Sequence, residues 1–155
     1  MTQTRAGRRS PIDLVFDGRC GFCTRAAYRL LLLDRRGRIV LHPFQRPGVL
    51  ERFGLTEAEA RNAAWAFEER SPGVPPIRHR GAAAVARAFD AALGVRACAP
   101  LYRVPPLRWA ADRAYRWVAE NRYRLRGTTP WCARYPEDCD AVDGVDAVDG
   151  GDGGE

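Results

Sequence analysis

Two cysteines three residues apart, Cys20 and Cys23, follow an apolar run, Leu14-Val15-Phe16, through the short link Asp17-Gly18-Arg19. A C-x-x-C placed where a strand ends and a helix begins has a mechanical meaning. The free amides of a helix N-terminus and its dipole stabilise a thiolate on the first cysteine, and one helical turn brings the second sulfur within disulfide reach. The residues after Cys23, Thr24 to Leu33, contain no Gly or Pro, and Ala27, Leu30 and Leu31 are spaced for one buried helix face. The first cysteine of such a turn is expected to be the more exposed, which makes Cys20 the nucleophile and Cys23 the resolving thiol. Arg19 and Arg25 favour the Cys20 thiolate. Asp17 opposes it electrostatically if charged, so its useful role is to accept the Cys23 proton. Gly18, Arg19, Gly21 and Phe22 frame the pair as auxiliary residues.

A lone C-x-x-C is also half of a zinc site, or two inert buried cysteines. Position decides between these readings. A dithiol immediately after a strand and inside a strand-helix-strand pattern favours redox chemistry.

The run Asp17-Gly18-Arg19-Cys20-Gly21-Phe22-Cys23 resembles the D-x-x-C-x-x-C signature of the DCC family of predicted thiol-disulfide oxidoreductases, small bacterial proteins regarded as thioredoxin-like. Arg80-Gly81-Ala82-Ala83-Ala84 is similar to the family's R-G-x-x-A step, and Tyr115 with Asn121-Arg122-Tyr123-Arg124 is similar to its closing Y…N-R-Y-R helix. The likeness spans residues 11–126 and implies a thiol-disulfide oxidoreductase.

Charge adds little to this and excludes some alternatives. All 25 basic residues are Arg, and 8 of the 19 acids lie from Glu137 onward, so residues 1–136 carry +14 and the remainder −8. Arg-for-Lys usage of this kind is what a GC-rich coding bias produces. No helix-turn-helix, zinc-finger or RNP-like pattern accompanies the basic residues, which argues against nucleic acid as a partner. Residues 1–10 are polar and basic, and the apolar run after them is too short and too interrupted for a secretory signal. No stretch approaches the ~18 apolar residues of a membrane span. A cytoplasmic protein is expected, where disulfides are usually transient or catalytic.

Read in order, Pro11–Phe16 is a central strand, Cys20 to about Arg35 a helix, and Arg38–Phe44 a second strand, parallel to the first. A helical turn over Pro47–Arg52 ends at Gly54. Thr56 and Glu59 form a capping box opening a helix to about Asn62. Ala63–Glu69 reads as a strand, and Ser71–Pro76 as a turn into the antiparallel strand Ile77–Arg80. Gly81 starts an alanine-rich helix with Ala82, Val85, Phe89 and Leu93 on one face, closed by Gly94. A last helix, Leu107 to Arg124, carries Leu107, Ala111, Ala114 and Val118 as a stripe suited to core packing, with Asp112–Arg116 and Glu120–Arg124 pairs four apart. The predicted fold is therefore α/β and thioredoxin-like: a βαβ unit, a helix, a β-hairpin and a helix, over residues 11–126. A flexible basic N-terminus, 1–10, precedes it. A Cys-containing linker and disordered acidic tail, 127–155, follow.

One departure from thioredoxins concerns the strand facing the cysteines. There a cis-proline commonly opens the strand and holds an extended substrate, whereas the strand starting near Ala63 has none. This weakens an inference to peptide substrates but not to dithiol chemistry. Cys98 reads as a small buried residue. Cys132 and Cys139 could pair, help bind metal, or do neither. His42 and His79 lie in predicted strands without a catalytic constellation. The expected activity is reduction or exchange of a protein or low-molecular-weight disulfide, recharged by a thiol reductant, with no bound cofactor, no metal and no membrane partner. A zinc-holding interaction module and a basic nucleic-acid-binding domain with incidental cysteines remain as rivals.

Overall fold

The computed structural model describes residues 11–139. Strand β1, Ile12–Phe16, is buried along its whole length. It can be buried because it is paired on both edges. β2, Ile39–Pro43, runs parallel to it from Ile12↔Ile39 to Phe16↔Pro43, and β3, Trp65–Glu68, runs antiparallel from Ile12↔Glu68 to Val15↔Trp65. β4, Ile77–Arg80, completes the sheet antiparallel to β3, giving the order β2-β1-β3-β4. The one polar side chain that points inward from β1, Asp13, is matched by His42 Nε2 at 2.7 Å from β2. That pair satisfies two buried groups and has no further partner suited to catalysis.

Helix α1, Gly21–Leu33, crosses from β1 to β2, as a parallel pair requires. Two short helices follow, α2 (Val49–Phe53) and α3 (Glu57–Asn62), the second opened by the Thr56–Glu59 capping box. They cover one face of the sheet, where Val15, Phe44, Val49, Leu55, Ala60 and Phe67 form a core. The opposite face is closed by α1 and by α4, Ala82–Leu93, around Ile12, Leu14, Leu30, Ile39, Ala66, Ala84, Ala88, Ala91 and Ala92. This mixed four-stranded sheet with its βαβ unit and terminal hairpin is a thioredoxin-like fold.

Two helix faces differ from expectation. In α1 the buried residues are Thr24, Ala27 and Leu30, with Leu31 turned outward. In α4 the sheet is met by alanines and Asp90, whose small or tightly bonded side chains allow close approach, while Val85, Phe89 and Leu93 point away from it. Asp90 is buried because three backbone amides beyond the helix satisfy it: Ala97 and Cys98 donate to Oδ1 at 3.1 and 2.8 Å, and Ala99 to Oδ2 at 2.9 Å. Those bonds fix the start of α5, Cys98–Tyr102, a helix the sequence pattern did not suggest.

Helix α6, Pro105–Asn121, begins with prolines in its first turn, where a missing N–H is harmless. None of its residues is buried. The Leu107, Ala111, Ala114 and Val118 stripe, expected to pack into core, instead walls a cavity. Asp112 accepts from Tyr102 Oη at 2.5 Å and lies 3.7 Å from Arg108, so its ion pair runs backwards along the helix and not to Arg116. Residues 127–139, read from sequence as a linker, hold a helical turn α7, Trp131–Arg134, and a 3-10 turn, Pro136–Asp138. The expectations for residues 1–10 and for the acidic tail from Asp140 lie outside the described residues. No described helix is long and apolar enough to cross a membrane.

Candidate active site

Cys20 is the N-cap of α1, in extended backbone geometry, and its Sγ accepts the Cys23 N–H at 3.1 Å. The sulfur thus occupies the position at which a capping oxygen usually meets the first-turn amides. The two cysteines come within 2.6 Å of each other and both are free. Side-chain hydrogen bonding from Cys23 pulls the Cys20 thiol down to about 7, aided by the Cys23 amide and Arg122 and opposed by burial and Asp17. The same hydrogen bond, with burial and the Cys20 charge, pushes the Cys23 thiol far up. The pair therefore holds its first negative charge on Cys20.

Burial runs opposite to expectation. Cys20 is fully buried, whereas Cys23 is half-buried and borders the cavity. The cause is the segment after α6, which the sequence reading did not bring to the site. Thr128 N donates to Gly21 O at 3.1 Å, Cys132 N to Gly18 O at 3.0 Å, and Trp131 N to Thr24 Oγ1 at 3.0 Å. Trp131 packs edge-on to Phe16 and tilted against Tyr28. The strap formed by residues 127–132 so crosses the turn that carries Cys20. Its approach depends on two glycines. A Cβ on Gly21 would lie 2.5 Å from Thr128 O, and one on Gly127 would lie 2.3 Å from the Gly21 carbonyl carbon. The strap is closed by a Cys132–Cys139 disulfide. With those sulfurs bonded to each other, Cys20, Cys23, Cys132 and Cys139 do not form a four-thiolate zinc set, and among the described residues no cluster of three metal-binding side chains occurs.

Asp17 is buried at the end of β1 and accepts four hydrogen-bond or ionic contacts. Oδ1 accepts from Gln45 Nε2 at 2.8 Å and from the Arg19 amide at 3.0 Å, and Oδ2 accepts from Tyr123 Oη at 2.8 Å with Arg122 Nη2 at 3.4 Å. Gln45 also accepts the Gly18 N–H through Oε1 at 2.9 Å, so one amide side chain fixes both members of the Asp17-Gly18 link. Arg122 reaches Cys23 Sγ with Nη1 at 4.0 Å and is held by the Arg61 carbonyl at 2.7 Å. Tyr115 Oη accepts the Ala64 N–H at 2.8 Å, which orients the loop entering β3 where no proline stands.

Of the residues singled out from sequence, Asp17, Gly18, Cys20, Gly21 and Cys23 come together here. Arg19 contributes its backbone amide to Asp17. Phe22 lines the cavity. Arg25 points to the Arg126 carbonyl at 3.3 Å rather than to a sulfur. Arg122, Tyr123 and Tyr115 belong to the closing motif quoted above, though nothing in their spacing told that they would meet Asp17 and Cys23. Gln45 carried no signal.

Compared with known protein families, residues 14–128 match the family described as DCC1-like thiol-disulfide oxidoreductase. No curated protein and no solved structure matches. The match covers about three quarters of the chain and includes the strand, the dithiol turn and the Arg122-Tyr123 pair, and on that ground the chain belongs to the DCC1-like thiol-disulfide oxidoreductase family.

Proposed function

We propose that this protein reduces or exchanges a disulfide substrate through Cys20 as nucleophile and Cys23 as resolving thiol. The observation that carries this reading is the Cys20 sulfur seated on the first-turn amide of α1, with its thiol drawn down to about 7. Cys20 thiolate attacks one sulfur of the substrate; a Cys20–substrate disulfide forms, the substrate S–S bond breaks, and the second substrate sulfur leaves as a thiolate. Cys23 then gives its proton to Asp17 and attacks the Cys20 sulfur. The Cys20–Cys23 disulfide forms and the first substrate sulfur leaves. In sum the substrate takes two electrons and becomes two thiols, and the enzyme dithiol becomes a disulfide, which an external thiol reductant restores. Arg122, 4.0 Å from Cys23 Sγ, stabilises the anion as it forms there.

Since Cys20 is covered by the strap, the attack requires residues 127–132 to lift from the turn. Cytoplasmic thiols would keep the Cys20–Cys23 pair in its reduced, attacking form. The test is a mixed-disulfide trap in the full chain with Cys23→Ser. A covalent adduct on Cys20 that thiol reductant releases, and that Cys20→Ser abolishes, supports the assignment. An adduct forming instead on Cys23 in a Cys20→Ser chain, with none on Cys20, overturns it.

A further inference from the structure

A cavity of about 700 Å³ lies between α1, α4, α5 and α6, within the size range of ligand sites. Its two ends differ. Cys23, Asp17, Arg122 and Tyr115 stand at one, and Cys98, Leu101 and Tyr102 at the other, while the wall between is Ala, Val, Leu and Phe. Val85 and Phe89 of α4 and Leu107 of α6 face this space with 37%, 37% and 45% of their surface uncovered. Scaled by the volume cost of cavities left in protein cores, an empty apolar void of this size would offset a domain's whole net stability. Water gains few partners on such a wall. An apolar occupant resolves this.

Its shape and chemistry follow from the lining. From Leu107 to Arg122 the cavity runs along α6 for about 22 Å at 1.5 Å per residue, the length of an extended alkyl chain of roughly sixteen to eighteen carbons. At the reactive end the Arg122 guanidinium has a buried Nε without a hydrogen-bond partner. The facing carboxylate, Asp17, is already engaged by Gln45, Arg19 and Tyr123. An anionic group is therefore complementary to that end and a linear hydrocarbon to the rest.

We propose that the cavity binds a linear alkyl chain of about sixteen carbons with an anionic group beside Arg122, and that the disulfide this protein acts on is carried on such a chain. The second clause rests on the dithiol reading above; the first does not.

Binding is tested first without redox chemistry, in the full chain with Cys20→Ser and Cys23→Ser, by displacing a fluorescent dansyl-labelled undecanoate with unlabelled fatty acids. Displacement is expected to strengthen two- to fourfold per added methylene from decanoate to hexadecanoate. Arg122→Gln should weaken hexadecanoate at least fivefold and leave hexadecanol unchanged. Absence of saturable displacement, equal displacement by decanoate and hexadecanoate, or binding only in a dimer of two chains would overturn the site. Because the chain-length series uses the cavity as it stands, no cavity-filling variant has to fold.

Turnover is then measured in the native sequence with bis(2-hydroxyethyl) disulfide and with carboxylated dialkyl disulfides of increasing length. A kcat/KM that climbs with chain length supports the substrate class, and a flat series refutes it. Fatty-acid binding without turnover of any disulfide would remove the oxidoreductase reading and the substrate claim while leaving the alkyl site. Turnover of the small disulfide without fatty-acid binding would do the reverse.

Discussion

If the strap controls access to Cys20, its disulfide should control how often the strap opens. Cys132 and Cys139 are separated by 7 positions, and in the chain-entropy account a closed loop of that size disfavours the released, disordered segment by about 2.5 kcal/mol. The closed form is held by the Thr128–Gly21, Cys132–Gly18 and Trp131–Thr24 hydrogen bonds, about 1 kcal/mol each, and by Trp131 packed on Phe16 and Tyr28. These contacts survive when both cysteines become serine, so the substitution acts mainly on the open state. Removing ~2.5 kcal/mol of bias raises the open fraction up to about 60-fold. The assay is alkylation of Cys20 by iodoacetamide, followed site by site by peptide mass spectrometry, in the native sequence and in Cys132→Ser/Cys139→Ser. Cys23 and Cys98, which the strap does not cover, serve as internal references. A rise confined to Cys20 is the expected result. A change below about threefold at Cys20, or an equal rise at all three sites, refutes the argument that the strap is the barrier.

Three further outcomes follow from the geometry. Gly21→Ala puts a methyl group 2.5 Å from Thr128 O, so the strap must shift while helix α1 gains the better helix former; Cys20 should be alkylated faster with no fall in melting temperature. The alkylation rate of Cys20 should rise through a midpoint near pH 7, and Arg122→Gln, which removes one of the charges holding that thiol down, should move the midpoint upward. Between about 7 and the ordinary 9, the unfolded thiol keeps a proton that the native Cys20 has lost, so folding stability should increase with pH in this window and fall as pH drops through 7, a slope that Cys20→Ser flattens in denaturant titrations. Asp90→Ala leaves three amides before and within α5 without their acceptor and should cost about 3 kcal/mol in chemical unfolding; a loss under about 1 kcal/mol would show that water replaces the carboxylate.

What the sequence disclosed and what it withheld divide along a physical line. Element type and order follow from local signals. The continuous apolar run of β1, the Thr56–Glu59 capping box and the Pro-Gly turn before β4 each act over a few residues, and each gave the element found there. The α4 face could not be chosen that way. Large apolar residues at helical spacing look like a core stripe, yet the sheet accepted Ala84, Ala88 and Ala91 because small side chains let a helix sit closer, and Val85 and Phe89 were left to wall a cavity. Tertiary contact, not periodicity, decides which of two usable stripes faces inward.

The same reasoning accounts for Cys20. Local geometry at an N-cap fixes which sulfur is the better thiolate, and that much was readable from C-x-x-C after a strand. Exposure is a property of whatever else arrives, and what arrives is a segment more than a hundred residues later, admitted only because Gly21 and Gly127 lack side chains. Ionisation and access are consequently set by separate parts of the chain. A thiolate stabilised by its own helix yet covered by a distant, disulfide-closed strap can be reactive in principle and silent until the strap opens. Activity then depends on strap opening as much as on thiol acidity, and the alkylation experiment measures the first factor while the pH midpoint measures the second.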